Sequence, residues 1–268
     1  PAKHAMVMNA IAQFVKCHAL VIYFILAYAL SWAFYPLIKI NAVYGVPALF
    51  TPALAAVIVS GIVGGRAQVN NLLKKIFIWR VNIAWYVAAL GLPVVLSFIV
   101  ALASRFFGGN STLELAPISA LGIVVFVFVL GEEIGWRGFA QPAFEQRFSP
   151  FVAAVILGIL WGFWHLPNFF VPELPHYEIP LAAFVTQTVG LSVIAAWLLK
   201  HSRGSVLIAT LFHGAFNTFG FLTPSIDAAT RAWLVGGVYM IAALVITAVY
   251  GLRLSRISKV NLLQGDFQ

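Results

Sequence analysis

Two glutamates stand side by side at Glu132 and Glu133, and Arg137 follows four residues after the second, within Gly131-Glu-Glu-Ile-Gly-Trp-Arg-Gly138. The cluster closes the uncharged run Pro117 to Leu130, in a chain with only 16 Lys and Arg and 8 Asp and Glu. A charge in the middle of a membrane helix costs about 2.5–3.5 kcal/mol on insertion scales, so it needs an offset or a use. Glu133 and Arg137 share a helix face at i, i+4 and can pair. Glu132 is rotated by about 100° and lies off that pair. Two further polar sets occur in apolar surroundings: His165, in Trp161-Gly-Phe-Trp-His165-Leu-Pro167, and His213 with Asn217, again i, i+4 on one face.

Each group has a structural use when taken singly: a histidine as a packing donor, an asparagine as a bridge between helices, Glu133 with Arg137 as a clasp. As a set of six they are read as one shared polar site. A carboxylate beside a histidine suits the activation of water, and a histidine with an asparagine can donate to a developing oxyanion. Base, water and oxyanion donors make an amide hydrolase. Other intramembrane chemistries lack their residues. There is no HExxH, the only aspartates, Asp227 and Asp266, fall in a loop and a tail, and no serine sits in a GxSxG-like turn.

The elements that must carry these groups are membrane spans. A composition of 62% hydrophobic and 9% charged residues, with mean hydropathy +0.97 over 268 residues, predicts an all-α polytopic membrane protein. Eight spans are expected: about 18–37, 47–63, 82–103, 118 through the Glu-Glu stretch, 151–166, 179–199, 205–222 and 232–252. Ala27-Tyr28-Ala29 resembles a signal-cleavage site, but the apolar run continues past it, so the first span is read as retained. Trp32 and Tyr35 are expected to anchor its end at the interface. Arg66 to Arg80 reads as a basic loop, Gly91 and Pro93 as a kink, and Pro167 as the end of the fifth span near His165. Gly131, Gly135, Gly138, Gly158 and Gly162 permit close helix approach. The polar site then lies between helices four, five and seven of a single membrane domain, 1–268, with its motif-bearing core at about 118–222.

Eight spans put both termini on one side. Lys3, Lys16, Arg66, Lys74, Lys75, Arg80, Arg147, Lys200, Arg203, Arg253, Arg256 and Lys259 fall on that side, against Lys39, Arg105 and Arg231 on the other. This bias predicts both termini cytoplasmic, in the plasma membrane. Net charge +8 and pI near 9.8 do not imply nucleic acid, because the loops are too short for a folded basic surface. The single cysteine, Cys17, excludes an internal disulfide and reads as apolar filler.

Glu132-Glu133-Ile-Gly-Trp-Arg137 has the form EExxxR, Trp161 to His165 resembles FxxxH with Trp in place of Phe, and His213 to Asn217 has the form HxxxN. In this order on separate spans, over about Leu121 to Phe219, they resemble the CPBP (Abi) family of intramembrane proteases, which includes the type II CAAX prenyl endopeptidases and bacteriocin-processing or immunity proteins. The resemblance implies that Glu132 and His165 activate water, that His213 and Asn217 form an oxyanion hole, and that Glu133 and Arg137 orient the site or hold substrate. No cofactor is expected; the alternative is a zinc held by Glu132, His165 and His213 as a His2Glu site. The implied partners are membrane lipid and a membrane-anchored, lipidated protein or peptide, with a prenylated CAAX sequence suggested by family analogy alone. A gap between helices or a cytoplasm-facing cavity should admit it, with a lateral opening near the fifth span at Pro167. The competing readings are a catalytically silent relative acting as immunity factor or scaffold, and a transporter or proton relay. Against the latter stand the lack of a repeat between halves and the clustering of polar groups at one locus.

Overall fold

The computed structural model describes residues 12–38, 40–109, 120–174, 176–219 and 226–255. Among these residues all regular structure is helical. The principal helices are α1 (Ala19–Trp32), α2 (Thr51–Lys74), α3 (Ile83–Ser104), α4 (Ala120–Glu133), α5 (Gln141–Glu145), α6 (Pro150–Trp164), α7 (Leu181–His201), α8 (Val206–Phe219) and α9 (Ala228–Tyr250). Six helical stretches are long and apolar enough to cross a membrane, and Val206–Thr218 is a shorter apolar one. The beginning of the fourth expected span near Ile118, the end of the seventh at Leu222, and Lys3, Lys39, Arg256, Lys259 and Asp266 lie outside the described residues.

The molecule is apolar on its outside as well as within. Val21, Ile25, Val87, Ile241 and Val245 are all more than half exposed, the surface that a hydrocarbon solvent requires and that water would penalise. At the centre is α7, in which every residue from Thr188 to Leu199 is buried. It packs chiefly against α6 and α9, while α8 lies against α3 and α4, and α1 against α2.

Where the structure departs from the pattern of hydropathy, local chemistry accounts for it. The second span does not stop at Gly64-Gly65. The chain bends there, with Gly65 at φ 60°, a conformation open to glycine, and the segment expected as a basic loop continues as helix to Lys74. Likewise α3 runs through Pro93 to Ser104 as one helix. The fifth span ends as expected, with His165 capping α6 before a short 3₁₀ turn over Leu166–Phe170. Trp32 and Tyr35, expected as interfacial anchors, and Tyr28 before them also tie the first span to α6 and the turn after it: Tyr28 Oη donates to the Leu160 carbonyl, Trp32 Nε1 to the Trp164 carbonyl at 3.0 Å, and Tyr35 Oη to Asn168 Oδ1.

A close helix contact is made at Gly158 on α6. A Cβ there would lie 2.6 Å from Val189 Cα and 2.9 Å from the Thr188 carbonyl oxygen, so the two backbones can approach only because the side chain is missing. Gly237 on α9 has open space around its Cα. Gly158→Val should therefore cost about 1–3 kcal/mol through forced separation of α6 and α7, whereas Gly237→Ala is tolerated. Thermal unfolding in detergent checks this, and an unchanged midpoint for Gly158→Val would remove the close packing from the account.

Candidate functional site

The glutamates occupy the last turn of α4, and the chain then widens into a π-helix over Ile134–Ala140, in which the Gln141 N–H reaches back five residues to the Trp136 carbonyl. Gly135 sits where this wide turn meets its neighbours: a Cβ there would stand 2.6 Å from Pro52 Cβ on α2 and on top of the Tyr23 hydroxyl of α1. Short π segments inside α-helices frequently mark functional sites. Here the widened turn carries Trp136 and Arg137, both fully buried.

The two glutamates divide as their helical spacing requires. Glu133 is wholly buried and its Oε1 takes two partners, Arg137 NH1 and His213 Nδ1, each at 2.9 Å. The i, i+4 clasp thus extends to a second helix. Glu132 stays off that clasp: its Oε2 accepts from Trp161 Nε1 at 3.0 Å and, at the long limit of 3.5 Å, from Trp136 Nε1. The Trp161 ring also carries the Arg137 guanidinium 4.8 Å from its centroid and meets the His213 ring edge-to-face at 4.8 Å. Trp161 therefore touches Glu132, Arg137 and His213 at once. Its place in the motif was legible from sequence, but its indole N–H, which phenylalanine lacks, was passed over there as a mere change of aromatic.

His165 caps α6 with Nδ1 3.0 Å from the Trp161 carbonyl. A carbonyl only accepts, so the proton is on Nδ1 and Nε2 of the neutral ring is left as an acceptor. Its ring lies against those of Trp164, Phe184 and His176 at 4.7, 5.0 and 5.6 Å. His176, in the loop before α7, was not anticipated from sequence. It stacks on His165 at an interplanar angle of 26°, and burial pushes it down to about 4, which keeps it neutral beside its neighbour at neutral pH. A loop residue between prolines carries no periodic signal that would have drawn attention to it.

Glu132, Trp161, His165, His213 and Asn217 line one cavity of about 550 Å³, along with His176. All six residues singled out from sequence are brought together, though in two groups: Glu133 and Arg137 lie behind the cavity wall and hold His213, while the other four face the space. Asn217 is the most exposed of them. The cavity runs from Glu132 past Asn168 and Ile179 to Ala228 and Arg231. That is the end of the bundle opposite the basic one, which Lys200 and Glu145 (3.0 Å) and Arg203 and the Arg80 carbonyl (3.4 Å) draw together. The entry was expected as a gap between helices or as a cytoplasm-facing cavity, and of these the second is incompatible with cytoplasmic termini in this geometry.

As for a metal, no group of three His, Cys, Asp or Glu side chains among the described residues is arranged to hold one. The Nδ1 atoms of His165 and His213 are turned to a backbone carbonyl and to Glu133, and Glu132 Oε2 is turned to indole N–H groups. A metal-bound histidine commonly holds its second ring nitrogen in this way, so these bonds are compatible with either reading, and no step below passes through a metal.

The class this architecture defines is a helical membrane protein with a buried carboxylate, histidine and amide cluster drawn from three spans. Residues 114–219 match the family model described as "Type II CAAX prenyl endopeptidase Rce1-like". The chain is also 29% identical over 213 residues to a protein of Methanococcus maripaludis named "CAAX prenyl protease 2", covering 72% of this chain and 78% of that one. The matched segment, 114–219, contains all three motifs, EExxxR, WxxxH and HxxxN, and it is over this segment that the chain is similar to the type II CAAX prenyl endopeptidases.

The pairing of Glu133 makes a quantitative expectation. Arg137→Ala leaves a buried carboxylate short of its cation, which costs about 3–5 kcal/mol, whereas Trp161→Phe keeps the ring and loses one bond to a carboxylate, about 1.5–3 kcal/mol. Melting midpoints in detergent should fall in that order, and equal midpoints for Arg137→Ala and the unaltered chain would dismiss the clasp as a stabilising element.

Proposed function

We propose that this protein is an intramembrane endopeptidase that hydrolyses a peptide bond of a membrane-anchored, lipidated polypeptide, without a metal. The observation that carries the reading is the shared cavity: a carboxylate off the arginine clasp, two histidines and an amide, from three helices, facing one space in an otherwise apolar bundle. The similarity to a named CAAX prenyl protease supports a peptidase and suggests a prenylated substrate.

The chemistry follows from the proton positions. With Nδ1 committed to the Trp161 carbonyl, His165 Nε2 can take a proton from a water that the Glu132 carboxylate orients. The water oxygen attacks the scissile carbonyl carbon, negative charge gathers on the carbonyl oxygen, and the proton passes on to the departing amine. His213 and Asn217 receive the oxyanion. Because Nδ1 of His213 faces Glu133, its Nε2 donates only if the ring carries both protons, and the Glu133 carboxylate is the counter-ion that such an imidazolium requires. Glu133 and Arg137 are thus positioning residues that act through His213. The substrate enters at the end of the cavity beside Asn168 and His176, next to Pro167.

Cleavage of a lipidated peptide library by the detergent-purified protein tests the reading. Glu132→Ala and His165→Ala should each lower the rate by about 10²–10⁴-fold, the range of general acid–base contributions, with activity of the unaltered chain retained in a chelator. Loss of activity in chelator and its return with zinc would replace the metal-free mechanism. Unchanged cleavage by both variants would overturn the assignment of the site.

The charge bias supports both termini on the cytoplasmic side, and the cavity mouth then faces away from the cytoplasm. In a Cys17→Ser background, a cysteine replacing the half-exposed Tyr177 should react in intact cells with a membrane-impermeant maleimide, whereas one replacing exposed Arg203 should not. The opposite labelling pattern would reverse the orientation and give the mouth to the cytoplasm.

A further inference from the structure

A second cavity, of about 260 Å³, lies at the basic end of the bundle, behind the catalytic cluster. Four cationic side chains line it, Lys75, Arg137, Lys200 and Arg203, against one carboxylate, Glu145. Their charges are only partly answered within the protein. Lys200 pairs with Glu145 at 3.0 Å in a half-exposed contact of the kind that contributes little. Lys75 Nζ donates to the Gly138 carbonyl at 2.6 Å, and Arg203 reaches the Arg80 carbonyl at 3.4 Å. Among the described residues neither makes an ion pair within 4.0 Å. Arg137 gives NH1 to Glu133, but its Nε is buried with no hydrogen-bond partner, and a buried charged donor left unmatched costs more than the 1–3 kcal/mol of a neutral one. Arg203 moreover holds a left-handed backbone, φ 60°, a conformation that side chains other than Gly, Asn and Asp seldom adopt and that clusters at ligand clamps.

We propose that this cavity binds a phosphate-bearing anion, either the headgroup of an acidic phospholipid or a free phosphate ester. Guanidinium and ammonium groups converging on one space favour a compact, multiply accepting oxyanion. At about 30 Å³ for each water displaced, the volume takes a phosphate with its ester carbons. The location suits a lipid source, since the basic end of a polytopic protein faces the anionic leaflet. The bound anion would also meet Arg137, whose other face holds Glu133 and through it His213, each at 2.9 Å. Occupancy would stiffen the clasp that positions the catalytic histidine.

Binding can be read without any assay of cleavage, so its failure is separate from that of the peptidase reading. The purified protein is unfolded thermally in detergent with short-chain phosphatidylglycerol, with phosphatidylcholine of the same chain length, with inorganic phosphate, and with chloride at matched ionic strength. The expected result is a midpoint raised by roughly 2–4 °C by a ligand well above its dissociation constant, with phosphatidylcholine and chloride inactive. A rise with phosphatidylglycerol alone assigns a lipid headgroup, and a rise with inorganic phosphate as well assigns a soluble ester. The double variant Lys200→Gln, Arg203→Asn should abolish the rise. It removes only a weak ion pair and a peripheral bond, and asparagine tolerates the left-handed backbone. A rise retained in that variant, or none with phosphatidylglycerol or inorganic phosphate, overturns the site.

Discussion

The packing of the buried polar cluster depends on how Glu133 is neutralised. A wholly buried carboxylate is among the costliest groups that a membrane helix can carry, and here one oxygen is shared by a guanidinium on the same helix and an imidazole on another. That single oxygen ties α4 to α8, through His213 Nδ1 at 2.9 Å. With Glu133 turned into this clasp, Glu132, one residue earlier, faces elsewhere, into the cavity. The division of labour between two adjacent and chemically identical residues is therefore a consequence of helix geometry, and no separate device is needed to produce it.

Trp161 is the second piece of that arrangement. It offers its N–H to Glu132, its face to Arg137 and its surface to the His213 ring, so one side chain contacts three polar members of the cluster. The carbonyl of the same residue orients His165. A tryptophan thus serves four neighbours, through its ring, its N–H and its backbone.

What could be read from the sequence was whatever is periodic or costly. Long apolar runs gave the helices, and polar residues that hydrocarbon penalises gave Glu132, Glu133, Arg137, His165, His213 and Asn217, because such residues have few reasons to be there. The i, i+4 spacing gave the Glu133–Arg137 pair. Legibility failed where the partner is distant along the chain or the feature is not periodic. Nothing local to Tyr28, Trp32 or Tyr35 says that their donors are bound to α6 and not to headgroups; the same residue types suit either place. The π turn after Glu133 depends on the packing of Gly135 against α1 and α2, which one-dimensional pattern does not contain. His176 belongs to a loop, and its stacking on His165 exists only once α6 and α7 are side by side.

The bracing of α6 by α1 also has a bearing on how the protein is made. The three donors of the first span find acceptors 132 or 133 residues further along the chain, so during synthesis α1 reaches the bilayer long before α6 exists. Through that interval a phenol, an indole and a second phenol stand without their eventual partners. A nascent chain stopped short of α6 displays them in the membrane, and a complete chain hides them. The first span thereby enters the bilayer with three polar groups whose acceptors arrive only with α6 and the turn that follows His165.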